Sequence, residues 1–406
     1  MTVPADAPVQ PVEIDPALAP PPDPALEPDG FLAGAEGEAR IHFLDWGGPA
    51  EADAMARPSP GGRSGGQPFG FEADAGARPG PGSRSGGQPF GFEAGGARPG
   101  PGGSGGDGSD GFDGRGRGGG PGVLLVPGLL SPAWSWAPVA RRLARVRRTA
   151  VMDLRGHGLS DAPRDGYDLA TLGGDAVMVA EASGIAGASG ISGVSGIAGA
   201  SRTTRASAAA GVDGRVVLVG HGFGACVAAV AAAAMGERCA GLVLMDGGFE
   251  RLGETSGLDA DELLRSLEEP PEVLRSMAAW LADRRAFDEA SWDADQERAA
   301  RDAVVETTAG RVVRAVRPFV VAALVPTMLA YDPAVVLASV PAPVTALVAM
   351  AAGDPGPRLA ELRRAGAARV AAGFGPIGVV GFAGASHNLP RYRPAEVTAA
   401  ILGAAD

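Results

Sequence analysis

Lysine is missing from this chain, and cysteine is scarce. All 35 basic residues among the 406 are arginine, which excludes Schiff-base chemistry, a lysine general base and the phosphate-binding lysine of a Walker motif. Cys226 and Cys239 are the only cysteines in the sequence, and two cysteines make neither a disulfide framework nor a four-ligand zinc site. We therefore expect no metal site and no cofactor.

Net positive charge and long apolar runs are missing as well. A formal net charge of −12 argues against nucleic acid or an anionic membrane as a partner. The first residues do not combine a basic start with an apolar run, so no signal peptide is expected. The most apolar late stretch, residues 319–340, is interrupted by Pro326, Asp332 and Pro333, which favours a core or cap helix over a membrane span. The sequence thus predicts a cytoplasmic protein.

Glycine and proline, in contrast, are abundant, with 64 and 35 copies. Residues 1–30 are rich in proline and lack periodicity, which predicts a disordered tail. Low-complexity inserts are predicted at about 49–121, where RSGGQPFGFE occurs twice, and at about 183–214, where three hexads such as SGIAGA follow one another. We interpret both as flexible loops within one domain that spans residues 31–406.

Between these segments, apolar runs alternate with helical patterns. A continuous run such as VLLV at 123–126 is typical of a buried parallel strand, whereas residues 169–182 have helical spacing. Strands that alternate with helices predict an α/β fold, with a mostly parallel twisted sheet flanked by helices. The predicted strands are 40–47, 123–126, 149–153, 215–219, 241–245, 344–350 and 378–382, and further helices are expected near 132–146, 223–235, 258–330, 357–368 and 394–403.

Five short strings occur in a specific order along the chain. They are IHFLDWGG at 41–48, VPGLL at 126–130, DLRGHGLSD at 153–161, GHGFG at 220–224 and ASHNLP at 385–390. In this order they resemble the second strand, the oxyanion turn, the turn after the fourth strand, the nucleophile elbow and the histidine loop of the α/β-hydrolase family. The resemblance implies the α/β-hydrolase fold, with a helical cap at about residues 250–335 between the sixth and seventh strands of that fold.

The elbow departs from this family at its apex. The family's nucleophile stands on a sharp turn between a buried strand and a helix, and Gly222 occupies that position here. Glycine has no side chain, so covalent acyl transfer through the apex is excluded. Cys226 is interpreted as a helix residue that faces the sheet, and Ser131 and Ser386 as loop residues, rather than as substitute nucleophiles.

The resemblance also implies the remaining site residues. His387 is the expected catalytic histidine. Its acid partner is expected to be Asp354, in the loop after the preceding strand, with Asp246 as the alternative because some members of the family place the acid there. The backbone amides of Leu129 and Phe223 are expected to form the oxyanion hole.

The sequence supports two main functional hypotheses. In the first, a dyad of His387 and its acid acts on a small apolar or amphipathic molecule without a covalent serine intermediate, in hydrolase- or lyase-like chemistry. In the second, the protein is a catalytically inactive homologue that binds a small ligand or a partner. A third hypothesis retains an ordinary hydrolase with another nucleophile. His157 and His42 are interpreted as structural residues.

Overall fold

A nine-stranded sheet forms the centre of the molecule. The computed structural model describes residues 11–34, 37–49, 120–186, 194–196, 212–267, 276–350 and 356–405. The strands in these ranges are β1 (Asp29–Ala33), β2 (Ile41–Asp45), β3 (Gly120–Val126), β4 (Thr149–Met152), β5 (Val194–Gly196), β6 (Val212–His221), β7 (Cys239–Met245), β8 (Val304–Glu306), β9 (Val312–Arg314), β10 (Val344–Met350) and β11 (Ile377–Ala383).

The strand order of the sheet is β11-β10-β7-β6-β3-β4-β2-β1-β5. Neighbours from β11 to β4 are parallel, whereas β2, β1 and β5 are added in antiparallel pairs at one edge. The prediction of a mostly parallel α/β sheet is therefore confirmed. In such a sheet the carboxyl ends of the parallel strands meet along one edge, and the loops that follow these strands can build a common site.

Helices cover both faces of this sheet. The side chains of β3 alternate between two apolar clusters, one on each face of the sheet, with Leu124 and Val126 in one and Val123 and Leu125 in the other. All four are fully buried, so both faces need a covering layer. The helices of the described ranges are α1 (Ala137–Ala144), α2 (Leu169–Ala182), α3 (Phe223–Met235), α4 (Leu252–Ser256), α5 (Ala260–Leu267), α6 (Met277–Phe287), α7 (Ala294–Asp302), α8 (Pro318–Ala330), α9 (Pro333–Leu337), α10 (Gly356–Ala371), α11 (Leu389–Tyr392) and α12 (Pro394–Ala405).

One long excursion, residues 252–337, separates β7 from β10 and contains helices α4 to α9. The expectation of a mainly helical segment at 258–330 omitted the β8–β9 hairpin. The valine-rich runs on each side of its turn favour strands, and the turn is closed by the Thr307 amide, which donates to the Arg311 carbonyl at 2.7 Å. No helix of the described ranges is both long and apolar enough to cross a membrane.

The predicted disordered tail is wrong for residues 11–30, which pack against the domain. Val12 forms a β-bridge with Val380, Leu26 is 1% exposed, and β1 begins at Asp29. The guanidinium of Arg141 donates to the Leu26 carbonyl at 3.0 Å. A few anchors of this kind order a proline-rich segment without any periodic pattern. Residues 1–10 lie outside the described residues.

The two predicted inserts are described only in part. Within 183–214, Ile185 is fully buried, β5 pairs with β1, and β6 begins at Val212, so these parts belong to the fold and are not free loops. The first insert ends two residues earlier than expected, because β3 begins at Gly120. Residues 50–119, 187–193 and 197–211, which include both copies of RSGGQPFGFE and part of the hexads, lie outside the described residues.

Replacing Leu26 tests whether the N-terminal segment is part of the folded domain. We expect Leu26→Ala to lower the free energy of unfolding by about 2–4 kcal/mol, because the side chain is fully buried. Leu18→Ala, in the same segment but 68% exposed, should change it by less than about 0.5 kcal/mol. Urea denaturation of both variants measures the difference, and equal values would mean that the segment does not pack.

Candidate active site

The elbow between β6 and α3 has the sharp geometry that a nucleophile position requires. Gly222 stands between the two elements with φ 54° and ψ −120°, and its amide donates to the Met245 carbonyl at 2.9 Å. A residue other than glycine is strained at this positive φ, by about 1 kcal/mol. The elbow therefore keeps its shape in the absence of an attacking side chain.

Backbone crowding distinguishes the apex from the glycines on either side of it. A Cβ atom at Gly220 would lie 2.3 Å from the Gly224 carbonyl oxygen, and one at Gly224 would lie 2.2 Å from the Pro127 carbonyl oxygen. Among the described residues, apart from its chain neighbours, a Cβ atom at Gly222 would meet the ring of His387 alone, with 3.2 Å to Nε2. The flanking glycines are thus required by packing, whereas the apex position is open toward one histidine.

His387 is paired with Asp246, the alternative acid of the sequence prediction. Its Nδ1 lies 2.6 Å from Oδ2 of Asp246. The carboxylate is nearly buried, with 3% of its side chain exposed, while the imidazole is 44% exposed. Since a carboxylate accepts, Nδ1 carries the donated hydrogen, and Nε2 is left to face the space above Gly222.

Asp246 is held in place from a second side by Arg358, near the start of α10. Its Oδ1 accepts from Arg358 Nη1 at 2.8 Å and from the Ala349 amide at 3.0 Å, and Arg358 also pairs with Glu250. Burial alone raises the pKa of Asp246, but the hydrogen bond with His387 and the charge of Arg358 outweigh it and hold that pKa at about 2. The acid therefore stays ionised at neutral pH.

His221 packs beneath His387 and supports its loop. Its Nε2 donates to the His387 carbonyl at 2.9 Å, and the two rings are 4.4 Å apart between centroids. Burial, together with the nearby His387, lowers the pKa of His221 to about 3. This ring is therefore neutral at physiological pH and acts as a rigid support.

A cavity of about 450 Å³ opens above the elbow. Leu129 and Phe223, the residues whose amides were expected to form the oxyanion hole, both line it next to Gly222 and His387. Apolar side chains of the excursion form much of the opposite wall. The remaining lining residues are Gly128, Ser131, His221, Cys226, Asp246, Gly247, Gly248, Glu250, Leu252, Leu263, Leu267, Met328, Tyr331, Arg358 and Asn388.

The structure brings together most of the residues expected from the sequence, but not all of them. The preferred acid, Asp354, lies in residues 351–355, outside the described ranges. Asp246 accepts the hydrogen bond from Nδ1 of His387. Cys226 lines the cavity, but burial raises the pKa of its thiol to about 12, which disfavours the nucleophilic thiolate. Arg358 was not predicted from the sequence. Nothing in the residues around it indicates that its side chain contacts Asp246, which follows a different strand.

The other two histidines lie apart from this pair. His42 binds Asp153, with 2.6 Å between Nδ1 and Oδ2, and His157 is buried. In the described part of the chain, no group of three or more histidine, cysteine or acidic side chains has a geometry suited to a metal ion.

Alanine substitutions in the elbow should distinguish a glycine that backbone packing requires from one that it does not. We expect Gly220→Ala to lower the free energy of unfolding by about 3 kcal/mol or more, because the new Cβ collides with backbone. Gly222→Ala should cost only about 1 kcal/mol, from its positive φ. Chemical denaturation measures both values, and a larger loss at Gly222 than at Gly220 would contradict this description of the apex.

The buried neutral His221 predicts a specific pH dependence of stability. The unfolded chain binds a proton at this residue near pH 6.5, whereas the folded protein does so only near pH 3. Lowering the pH between these values therefore favours unfolding, by up to about 1.4 kcal/mol per pH unit. Denaturation curves across this window should show a shallower loss for His221→Gln than for the parent, and equal slopes would refute the prediction.

Comparison with known proteins agrees with this architecture. A model of the alpha/beta hydrolase family matches residues 123–401, and no curated protein matches the chain. The chain is similar to the crystal structure of E-2-(acetamidomethylene)succinate hydrolase, with a TM-score of 0.52, 21% identity, and coverage of 70% of this chain and 91% of that one.

Two further solved structures share the fold at the same TM-score of 0.52. One is the thioesterase domain from the curacin biosynthetic pathway, at 15% identity over 92% of this chain and 99% of that one. The other is an alpha/beta hydrolase from Novosphingobium aromaticivorans, at 17% identity over 93% and 98%. Since the family model spans more than half of the sequence, with its elbow and histidine loop inside the match, the chain belongs to the alpha/beta hydrolase family.

Proposed function

We propose that this protein is a hydrolase in which His387, oriented by Asp246, activates a water molecule above Gly222 without any covalent intermediate. The observation that carries the proposal is the open apex. A Cβ atom at position 222 would lie 3.2 Å from His387 Nε2, and apart from its chain neighbours no described residue other than His387 would come within 4 Å. The side of the apex that faces the cavity is therefore bordered by the His387 ring, and a water molecule placed there lies within reach of a base.

The reaction uses the two nitrogen atoms of the His387 imidazole in different roles. Nε2 takes a proton from water while the water oxygen attacks the substrate carbonyl, and Asp246 stabilises the imidazolium through Nδ1. The tetrahedral intermediate then expels its leaving group, which receives the same proton from Nε2. One water is consumed, one acyl bond is broken, and an acid and the protonated leaving group are released.

The negative charge that develops on the carbonyl oxygen needs hydrogen-bond donors. The amides of Leu129 and Phe223 are proposed for this role, because both residues line the cavity on the side of the apex. Phe223 is also the first residue of α3, where backbone amides have no partner within the helix. These donors are backbone groups, so they do not depend on the identity of residue 222.

The acid is proposed to be Asp246 and not Asp354. An imidazole has two nitrogens, and a base that uses Nε2 has only Nδ1 left for an acid. Asp246 lies at 2.6 Å from Nδ1 and carries a pKa of about 2, so it remains charged through the catalytic cycle. Asp354 would have to displace it.

The substrate is proposed to be a small apolar or amphipathic acyl compound. The excursion would serve as the cap of the site, since Leu252, Leu263, Leu267 and Met328 line the cavity across from the elbow. The similar structures named as a thioesterase domain and a succinate-derivative hydrolase agree with acyl hydrolysis as a class. The cytoplasm stays the predicted compartment, without a nucleic acid or membrane partner.

Mutation of His387 tests the proposed base directly. Against a panel of p-nitrophenyl esters and thioesters with short to medium acyl chains, we expect His387→Ala to lower kcat by about 10²–10⁴-fold, the usual contribution of a general base. Ser386→Ala is the matched control, because Ser386 adjoins the histidine without lining the cavity. Unchanged turnover in His387→Ala would refute the proposal.

The Gly222→Ser variant separates this function from that of an inactive ligand-binding homologue. The parent should hydrolyse its substrate without becoming labelled by a fluorophosphonate, since it forms no acyl-enzyme. The variant should be labelled, because its hydroxyl lies next to His387. A parent that is inactive on every substrate, beside a variant that gains esterase activity, would favour the binding function.

A further inference from the structure

A second cavity, of about 410 Å³, lies on the other side of the loop at residues 128–134. The first cavity contacts this loop at Gly128, Leu129 and Ser131, and the second contacts it from Pro132 to Trp134. We call the second cavity the His42 cleft. Its floor is formed by β2 and the loop after β4, and its far wall by α7 and the hairpin of the excursion.

The floor of the His42 cleft contains a second histidine–aspartate pair. Both side chains are nearly buried, at 5% and 4% exposure, and Asp153 Oδ2 lies 2.6 Å from Nδ1 of His42. The Asp153 carboxylate also accepts from the amides of Ala133 at 2.7 Å and Leu159 at 3.2 Å, so its orientation is fixed. With Nδ1–H donated to Asp153, Nε2 of His42 is left toward the cleft, with no hydrogen-bond partner among the described residues.

A further carboxylate, Asp302 at the end of α7, faces this histidine across the cleft. Its strongest partner among the described residues is Arg298, at 3.3 Å, which is a long contact for an ion pair. Burial raises the pKa of Asp302, and the charge of Asp153 adds to the effect, whereas Arg298 and His42 oppose it. Among the described residues the carboxylate therefore has one long ion pair and no shorter contact with a positive group.

The two arginines of the cleft already have partners. Arg298 lies over the Trp134 ring at 4.9 Å, in addition to its contact with Asp302, and Arg301 pairs with Glu297 at 2.7 Å. Four carboxylates face these two guanidinium groups in the cavity lining. They are Glu27, Asp29, Asp153 and Asp302. Glu27 pairs with Arg141 at 2.9 Å and Asp153 binds His42, so the preference of the lining for a cation rests on Asp302, whose contact with Arg298 is long.

The mouth of the cleft is apolar. Leu159, in the loop after β4, is 65% exposed, and Val305, in the hairpin, is 47% exposed, and both line the cavity. Leu44, on the same strand as His42, adds a nearly buried apolar contact. A ligand that enters here meets apolar side chains first and acceptors at the floor.

We propose that the His42 cleft is a second small-molecule site, which binds a primary ammonium group on a short apolar stem. The ammonium donates to His42 Nε2 and to the Asp302 carboxylate, while the stem lies between Leu159 and Val305. A volume of about 410 Å³ suits a small ligand. The site shares only the 128–134 loop with the proposed active site and does not require that site to be catalytic.

Methyl NMR of the full-length protein with n-hexylammonium tests the proposal. We expect shifts at the methyl groups of Leu159 and Val305, little change at Leu252 and Leu263 of the first cavity, and a dissociation constant of about 1 mM, typical of a ligand this small. Hexanoate and hexanol, which match the stem, should shift the same methyls at least about tenfold more weakly. Equal or stronger binding of hexanoate would overturn the proposed charge preference.

Two variants locate the charge that is recognised. Asp302→Asn keeps the size of the side chain and should weaken hexylammonium binding by about tenfold or more. Glu306→Gln is the matched control, since it removes an exposed carboxylate next to Val305 on β8, outside the cleft lining, and should leave the affinity within about twofold. Equal losses in both variants would mean that the amine responds to the general negative charge around the cleft, and the proposed site would be wrong.

Discussion

Close backbone packing around Gly222 is the constraint on which the site depends. A Cβ atom at Gly247 would lie 2.5 Å from the Gly222 carbonyl oxygen, and one at Gly224 would lie 2.2 Å from the Pro127 carbonyl oxygen. The ends of β3, β6 and β7 are therefore fixed against one another by main-chain contact, and with them the positions of Leu129, Phe223 and Asp246. Loss of a side chain at residue 222 leaves this arrangement unchanged, because that side chain is not part of the packing.

Much of this arrangement could be predicted from the sequence, because it is encoded in local strings. Apolar runs fix the parallel strands, and GHGFG fixes the elbow, since small residues at 220 and 224 are required where backbones touch. The choice of acid could not be made in this way. Asp246 and Asp354 each follow a strand of the same sheet, and only the path of the loop after β11 decides which one His387 reaches. The structure brings Asp246 to Nδ1.

The features that the sequence did not reveal depend on contacts between distant segments. Arg358 joins the site by bridging Asp246 and Glu250, which lie more than 100 positions earlier in the chain. Residues 11–30 look disordered by composition, yet they pack against the domain through a few anchors, among them the Val12–Val380 bridge and the buried Leu26, whose carbonyl accepts from Arg141. Neither kind of contact leaves a periodic or compositional pattern in the segment itself, so local patterns cannot report it.

The loop at residues 128–134 connects the two histidine–aspartate pairs. Asp153 accepts from the Ala133 amide at one end of the loop, while Leu129 at the other end borders the space above Gly222. In a serine enzyme the oxyanion donors and the nucleophile must be placed together. Here the loop that carries the proposed donor Leu129 is held at Ala133 by Asp153, which in turn binds His42. A glycine at the apex is therefore compatible with an intact oxyanion hole, and direct attack by water would keep the stabilisation that a covalent mechanism uses.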